Sequence, residues 1–319
     1  MLIGSQLTMA LFGTFLETNP KTAESKGSSL VITFIPPQSN ADPKLEWTGS
    51  PDQIRFPVQP DTEKKTVVDV NLHGSPTKAY DMGSDINDWF SERFGYEVML
   101  VHIGKENSRA VFGSLAPSNP EAAHKSLRMR LSAMVSSFVP RFRPEGERLA
   151  FNDLGQYLVV TQSSTDEVSS RFASGIAMDV TKFRPNIVLS GPVPAFDEDF
   201  WAELTITPSS QHSSPRNAKA RNVKMQLTGN CFRCQSITVD YKTGQTAADE
   251  SGLVWKKLNK DRRVDKGAKW SPVFGRYGFC ARSDVGVTLS VGDEVKVTRR
   301  NVERTIFDWP GLTTFGLAK

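Results

Sequence analysis

The sequence contains few of the residues from which disulfide frameworks and protein-built metal cages are made. It has 3 cysteines and 4 histidines among 319 residues. A small, odd number of cysteines argues against a disulfide framework and is typical of a reducing compartment. The histidines form no cluster at metal-ligand spacing. A structural zinc site, which needs two ligands besides a Cys-x-x-Cys pair, is therefore disfavoured.

Strong charge and long apolar runs are also missing. The formal net charge of +4 is mild, so it favours an anionic ligand without indicating a nucleic-acid-binding protein. The opening stretch Met1–Leu16 is fairly apolar. It is too short and too polar to span a bilayer, and it lacks the basic start and small-residue exit of a signal peptide. We therefore expect no nucleic-acid partner and no membrane anchor in this chain.

The first part of the chain consists of short alternating segments separated by Pro- and Gly-rich turns. This pattern predicts strands at Met9–Leu16, Leu30–Phe34, Gln53–Phe56 and Val67–Leu72. A helix is expected after them, with Ser84 as its cap and Gly95 at its end. The chain is long enough for two domains. The prediction is a mixed α+β, β-rich fold that begins with a small barrel or sandwich.

Two cysteines three positions apart, Cys231 and Cys234, stand immediately before the alternating run Gln235–Asp240. The alternation predicts a strand, which would present a thiol and the guanidinium of Arg233 at the start of a stiff element. A thiolate there would be a soft ligand for a thiophilic metal. Three alternatives remain open: a zinc site, a thioredoxin-like dithiol, and free cysteines that pack in a core.

A serine-rich helix start predicts an anion-binding spot. The apolar strand Tyr157–Thr161 leads into Ser163 and Ser164, and Ser164 has capping-box spacing to Glu167. Backbone N–H groups and hydroxyls at such a start suit phosphate. A plain helix cap without a ligand explains the same residues.

A proline-fixed strand entrance gives a second candidate contact. Pro185 excludes helical geometry at Arg184, so Arg184 and Asn186 would be held rigidly before the strand Ile187–Leu189. A guanidinium and an amide together suit a phosphorylated polar heterocycle. A structural arginine paired with an acid is the alternative.

An acidic stretch, Asp197–Asp199, offers adjacent carboxylates. Paired carboxylates can carry acid–base chemistry. We interpret these residues instead as a surface acidic turn that leads into a strand or a short helix.

Several of these stretches together resemble the MOSC domain, and more narrowly the mitochondrial amidoxime-reducing components and their microbial relatives. The similarity covers about residues 152–297, and residues 30–113 resemble the later part of that family's N-terminal β-barrel domain. The resemblance implies an incomplete N-terminal β-barrel domain at residues 1–115 and a MOSC-type β-barrel domain with flanking helices at residues 116–319. The motifs that carry it, in order, are Phe183–Val188, Asn230–Cys234, Thr238–Gly244, Ser271–Tyr277 and Val291–Val295.

The resemblance implies a molybdenum-pterin cofactor. Cys234 matches the thiolate that ligates molybdenum in the family, so it would be the metal ligand and the catalytic residue. The other positions that match cofactor-binding residues are Arg184, Asn186, Phe232 and Arg233, and more loosely Ser163, Ser164 and Arg171.

The resemblance also implies an activity. We expect a molybdenum-dependent oxidoreductase that reduces small N-hydroxylated, amidoxime-type compounds, with electrons from a b-type cytochrome and its NADH-dependent flavin reductase. The expected location is the cytosol or the cytosol-facing mitochondrial surface. MOSC domains also end molybdenum-cofactor sulfurases, so the alternative is a non-catalytic carrier of the cofactor or of sulfur. They are associated with pyridoxal phosphate binding as well, although no pyridoxal-phosphate lysine domain precedes the MOSC region here.

Overall fold

The structure of the protein is a computed structural model, and it describes residues 6–18, 27–37, 52–117, 147–209 and 221–313. Within these ranges the chain is β-rich with few helices, as predicted. The strands, in chain order, are β1 (Phe12–Glu17), β2 (Ser29–Phe34), β3 (Asp52–Pro57), β4 (Val67–Leu72), β5 (Ser75–Asp81), β6 (Val101–His102), β7 (Arg109–Ala110), β8 (Arg148–Leu149), β9 (Tyr157–Thr161), β10 (Ile187–Leu189), β11 (Trp201–Thr207), β12 (Val223–Phe232), β13 (Val239–Asp240), β14 (Gln245–Thr246), β15 (Val273–Cys280) and β16 (Glu294–Arg300). The α-helices are α1 (Ser84–Phe94), α2 (Gln162–Ser170) and α3 (Val254–Leu258).

The chain divides into two compact units that are not consecutive in sequence. Unit 1 comprises residues 1–71, 76–108 and 234–255, and unit 2 comprises residues 72–75, 109–233 and 256–319. The domain boundary expected after residue 115 and the incomplete N-terminal barrel stay predictions.

Unit 1 contains an antiparallel sheet of β1, β2 and β3, and β4, β5 and β6 form a further three-stranded sheet. Helix α1 packs on the first sheet. The ring of Phe12 in β1 stacks on that of Phe94 in α1 with centroids 4.7 Å apart. An ion pair from Arg93 Nε to Asp52 Oδ2 at 2.7 Å ties the helix to β3. The helix ends at Gly95 in the left-handed conformation, as expected.

Three local predictions for unit 1 were wrong. The first strand does not start at Met9, because Leu7–Leu11 forms a 3-10 helix and β1 begins at Phe12. Ser84 is not the helix cap but the first helical residue, since the N-cap is Gly83 and no side chain caps the helix. The run Gln235–Asp240 is not one strand, because Gln235–Thr238 forms a 3-10 helix and only Val239–Asp240 is extended. Three consecutive side chains, Ser236, Ile237 and Thr238, are buried, which an alternating strand with one solvent face does not allow.

Unit 2 is organised on a six-stranded sheet in the order β10-β9-β15-β12-β11-β16. Strands β9 and β10 are parallel, and the other neighbouring pairs are antiparallel. Alternation in β11 and β12 sends apolar side chains to one side. Its buried core cluster consists of Val159, Trp201, Leu204, Ile206, Val223, Met225 and Leu227. Strand β12 contains Cys231, the first cysteine of the Cys-x-x-Cys segment.

The strands predicted at Tyr157–Thr161 and Ile187–Leu189 are both present. Within the part of the chain that the structure describes, no helix is long and apolar enough to cross a membrane.

Candidate functional site

Cys234 carries an accessible thiol. It is exposed, belongs to unit 1 and is the N-terminal flanking residue of the 3-10 helix Gln235–Thr238. Its Sγ lies 3.1 Å from the Oγ of the buried Ser236. An exposed sulfur with a hydroxyl beside it remains available to an incoming ligand, whereas a packed cysteine does not.

Arg233 and Phe232 precede it in unit 2 and are held by the protein itself. Arg233 is buried, and its backbone N–H donates to Pro272 O at 2.9 Å. Its guanidinium carbon lies 5.6 Å from the centroid of the Phe183 ring. The half-buried Phe232 ring packs edge-on against Phe307 with centroids 4.5 Å apart. Both side chains therefore occupy fixed positions at the end of β12.

Arg233 is also one end of a hydrogen-bonded chain that sequence reasoning missed. Its Nη1 donates to Cys231 Sγ at 3.0 Å, and this thiol lies 3.3 Å from the Tyr277 hydroxyl. The Tyr277 hydroxyl donates in turn to Asp153, whose other oxygen lies 2.9 Å from His73 Nε2. Local sequence patterns could not indicate these hydrogen bonds, because Tyr277, Asp153 and His73 are far from Arg233 in sequence.

The predicted strand entrance at Arg184 and Asn186 exists. Arg184 is exposed and adopts a left-handed backbone with φ of 54°, which is unusual for an arginine. Within the described residues its guanidinium has no hydrogen bond or ion pair. Asn186 pairs with Leu158 twice, since its backbone N–H donates to Leu158 O at 2.9 Å and its Oδ1 accepts from Leu158 N–H at 2.8 Å. The amide nitrogen of Asn186 is what remains for a ligand.

Helix α2 begins earlier than the serine motif suggested. Thr161 caps it, and its side chain accepts from Ser164 N–H at 3.2 Å. The Ser164 hydroxyl is committed internally, because it donates to Glu198 Oε2 at 2.9 Å and accepts from Phe196 N–H at 2.7 Å. Ser163 Oγ donates to Thr161 Oγ1 at 3.3 Å. The carboxyl group of Glu198 thus lies at this helix start, where the serine motif predicted an external anion.

Arg171 likewise bonds to its own chain. Its Nη1 pairs with Asp261 at 2.8 Å and its Nη2 pairs with Glu167 at 2.9 Å. Desolvation by burial opposes the charge, but the hydrogen bonds that Arg171 donates to Asp261 and Glu167 outweigh it and raise the pKa of Arg171. The role of Arg171 toward a cofactor stays a prediction.

The acidic stretch is not a surface turn, so that interpretation was wrong. Glu198 and Asp199 are fully buried, and Asp197 pairs with Arg300 near the surface. Asp199 accepts from Arg262 Nη2 at 2.8 Å and from Arg304 Nε at 2.8 Å. A local reading could not identify these partners, because they lie 63 and 105 residues further along the chain.

A second buried arginine adjoins this ion pair. Arg276 Nη1 donates to Asn230 Oδ1 at 2.7 Å and to the backbone oxygen of Asp199 at 3.2 Å. Desolvation lowers the pKa of Arg276 to about 10, against the pull of Asp199 and Asp265. The same desolvation raises the pKa of the Glu198 carboxyl. Asn230, to which Arg276 donates, directly precedes the Cys-x-x-Cys segment in sequence, so this buried arginine holds the end of the strand that carries the segment.

The donor set decides what kind of metal group fits. Among the residues that the structure describes, no three His, Cys, Asp or Glu side chains form a group that could hold a metal ion. A metal at the exposed Cys234 thiol must therefore bring most of its ligands with it. A pterin-bound molybdenum does so, and a single soft thiolate suits it. The residues present fit such a group.

The similarity to known proteins agrees with the motifs. A family model described as MOSC domain matches residues 146–296. The chain is 25% identical over 256 residues to the molybdenum cofactor sulfurase of Homo sapiens, a match that covers 79% of this chain and 24% of that protein. It is 30% identical over 158 residues to mitochondrial amidoxime-reducing component 1 of Homo sapiens, covering 48% of this chain and 40% of that protein.

The sulfurase of Oryza sativa subsp. japonica is 26% identical over 192 residues, which cover 58% of this chain and 19% of the relative. The chain thus spans between 19% and 40% of the length of these three relatives. The resemblance drawn from the motifs is confirmed, because residues 146–296 of this chain match the MOSC domain model.

Proposed function

We propose that this protein binds a molybdenum-pterin cofactor through the Cys234 thiolate and reduces small N-hydroxylated compounds. The observation that carries the proposal is the exposed Cys234 thiol, which directly follows a buried and internally held guanidinium. The similarity to an amidoxime-reducing component supports the reaction type. The overall change would be the reduction of an N–OH group to N–H with release of water, which consumes two electrons and two protons.

In this proposal each residue has a defined task. The bound cofactor supplies the two-electron chemistry. Cys234 ligates the metal, and the Ser236 hydroxyl stabilises the thiolate by a hydrogen bond. Arg233 and Arg184 supply positive charge to the anionic part of the cofactor, because guanidinium groups bind phosphate with fixed geometry. Asn186 donates from its amide nitrogen, and Phe232 forms an apolar wall.

We assign Ser163, Ser164 and Arg171 a supporting task. Their side chains bond to the chain itself, so they hold helix α2 and its surroundings in place. The electron donors in this proposal are a b-type cytochrome and an NADH-dependent flavin reductase.

The test compares two cysteines. The protein is produced with ample molybdate, its molybdenum content is measured by mass spectrometry, and its reductase activity is measured with benzamidoxime as substrate. We expect Cys234→Ser to remove both the metal and the activity. Cys280→Ser, a change at the end of β15, should leave both near wild type. A Cys234→Ser protein that still reduces benzamidoxime would contradict the assignment of the ligand.

A second candidate function has an observation of its own. The molybdenum cofactor sulfurase of Homo sapiens matches 79% of this chain, compared with 48% for the amidoxime-reducing component. This favours a module that holds the cofactor or sulfur without catalytic turnover. The same assay separates the two candidates, because molybdenum retained by Cys234 without any reduction of benzamidoxime supports the carrier.

A further inference from the structure

We propose that residues 260–270, which we call the basic loop, form the docking surface for an electron-donor protein with an acidic face. The inference rests on the proposed function, because that function needs electrons from outside the chain. A haem donor supplies one electron at each encounter. Two encounters, with two protons from the solvent, therefore reduce one N–OH group to N–H and release one water molecule.

Positive charge is concentrated in this part of the chain. Residues 256–270 contain seven Lys or Arg and two Asp or Glu, so this stretch carries more net positive charge than the whole chain, whose formal net charge is +4. Lys260 and Arg263 are exposed, and within the described residues their side chains make no hydrogen bond or ion pair. A patch of this kind attracts a partner of opposite charge and speeds its association.

The two acidic residues of the stretch do not cancel this charge. Asp265 is buried, and its Oδ1 accepts from Gly267 N–H inside the loop. Asp261 is exposed but is paired with Arg171 at 2.8 Å, so its charge is offset by a cation outside the loop. The face that the basic loop presents to solvent is therefore cationic.

Trp270 adds a large apolar group to this cationic face. The residue is 65% exposed, so it contributes little to the core. The Lys269 ammonium lies 4.8 Å from its ring centroid, and this cation–π contact orients the ring. Tryptophan is over-represented among the residues that dominate the binding energy of protein interfaces. An exposed tryptophan within a ring of cations is thus typical of a protein-docking site.

The shape of the surface favours a protein over a small molecule. Lys260, Asp261, Arg263, Lys269 and Trp270 line an open pocket of about 390 Å³. All five residues are exposed. Small-molecule sites typically enclose about 70–90% of the surface of their ligand, which walls of exposed side chains do not achieve. A side chain that projects from a docked protein fits such a pocket, and the surrounding charges set the orientation of docking.

The base of the basic loop is fixed. Arg262 forms the buried ion pair with Asp199, and its backbone oxygen accepts from Val273 N–H at 2.8 Å. Within the loop, the hydrogen bond from Gly267 N–H to Asp265 Oδ1 measures 2.8 Å. Because the backbone is held in this way, a partner that binds here needs to order only side chains.

The loop is also joined closely to the candidate metal ligand. Pro272, two residues after Trp270, accepts from the backbone N–H of Arg233 at 2.9 Å, and Arg233 directly precedes Cys234. Along this path three residues and one hydrogen bond separate Trp270 from Cys234. An electron donor docked on the basic loop would therefore contact the same backbone that holds the thiolate.

The first experiment compares two electron donors for the reduction of benzamidoxime by the molybdenum-loaded protein. One is a b-type cytochrome kept reduced by NADH and its flavin reductase, and the other is the methyl viologen radical, which needs no docking surface. In Lys260→Glu/Arg263→Glu and in Trp270→Ala, we expect the KM for the cytochrome to rise about 10-fold or more. Molybdenum content and activity with methyl viologen should stay near wild type.

The matched control is Lys224→Glu/Lys296→Glu, which reverses two exposed charges on β12 and β16 and should change the KM for the cytochrome far less. Salt gives a further check on the wild type and on Lys260→Glu/Arg263→Glu. The wild-type KM should rise with ionic strength, whereas that of the loop variant should not, because salt weakens only an attraction between opposite charges.

The second experiment detects contact without turnover. A carbodiimide links lysine ammonium groups directly to carboxylates of the bound cytochrome, and mass spectrometry identifies the linked lysines. We expect links at the exposed Lys260 and Lys266, and none at the equally exposed Lys224 and Lys296.

The outcomes separate the two proposals. An unchanged KM in both loop variants, or links at Lys224 and Lys296 instead, would overturn the docking surface and leave the proposed function standing. Binding of ADP that is lost in Lys260→Glu/Arg263→Glu, with unchanged cytochrome kinetics, would mark a nucleotide pocket and also overturn it. A wild-type protein that holds no molybdenum and reduces no benzamidoxime with methyl viologen would overturn the proposed function, on which the docking surface depends.

Discussion

Replacement of Asp199 by asparagine should destabilise this protein far more than the same replacement of Asp197, two residues earlier in the same 3-10 helix. The Asp199 side chain is 1% exposed, and its partner Arg262 is 5% exposed. Arg304 also pairs with it. Asparagine keeps the shape but removes the charge, so Arg262 would stay buried without a counterion.

The expected cost follows from this burial. Removal of one partner of a buried ion pair typically costs about 3–5 kcal/mol, because an uncompensated charge remains inside the protein. The neighbouring Arg276 is buried as well, with its pKa lowered to about 10 by desolvation, which adds a second cation to the same region. Asp197 pairs with Arg300, whose side chain is 48% exposed. Loss of this exposed ion pair in Asp197→Asn should lower the free energy of unfolding by at most about 1 kcal/mol.

Urea denaturation at neutral pH, followed by far-ultraviolet circular dichroism, measures both free energies of unfolding. Asp197→Asn is the matched control, since it makes the same chemical change in the same turn. If Asp199→Asn costs no more than Asp197→Asn, the buried ion pair of Asp199 does not supply the expected stability.

Three further predictions concern single positions. Glu198→Gln should become more stable relative to the wild type as the pH rises from 4.5 toward neutrality. Burial raises the folded-state pKa of Glu198 above 4.5, so the wild type loses the stability of its protonated carboxyl as the pH passes that raised value. Denaturation at several pH values measures the difference in unfolding free energy between the two proteins, and a difference that does not change with pH contradicts the prediction. Gly229→Ala should lower the free energy of unfolding by about 1–3 kcal/mol, because the new Cβ would overlap Leu115 Cδ2. Gly13→Ala is the control, since its new Cβ would lie 3.8 Å from the nearest atom, Thr33 O, and its thermal melting should show little change. Arg184→Gly should relieve the strain of a backbone φ of 54° and stabilise the cofactor-free protein by up to about 1 kcal/mol. The molybdenum content should nevertheless fall in both Arg184→Gly and Arg184→Ala. An Arg184→Gly protein with full molybdenum content would exclude Arg184 as a cofactor contact.

Local patterns predicted the elements whose stability is local. Helix α1 could be read from the spacing of its apolar residues and from Gly95, and strands β2, β3 and β4 from alternation between breakers. Their signals lie within a few residues of the element itself. The same holds for β9 and β10, which were predicted at their observed bounds.

The acidic turn failed because its partners are remote. Nothing near Asp199 in sequence indicates that Arg262 and Arg304 will surround it, so a surface position was the reasonable expectation. The same limit applies to Ser164, whose hydroxyl bonds to Glu198, 34 residues later. A capping motif predicts backbone N–H and hydroxyl donors at a helix start, but it does not indicate whether a ligand or the protein itself will accept their hydrogen bonds.

The Cys-x-x-Cys pair shows how the structure discriminates among readings that spacing left open. A zinc site would use both thiols of the pair as ligands, so both must lose their protons. Cys231 is buried, hydrogen-bonded to Arg233 and Tyr277, and its pKa is raised by desolvation. Cys234 is exposed beside a serine hydroxyl. One thiol is held as a neutral hydrogen-bonding group and the other is accessible, so these unequal surroundings favour a single-thiolate ligand.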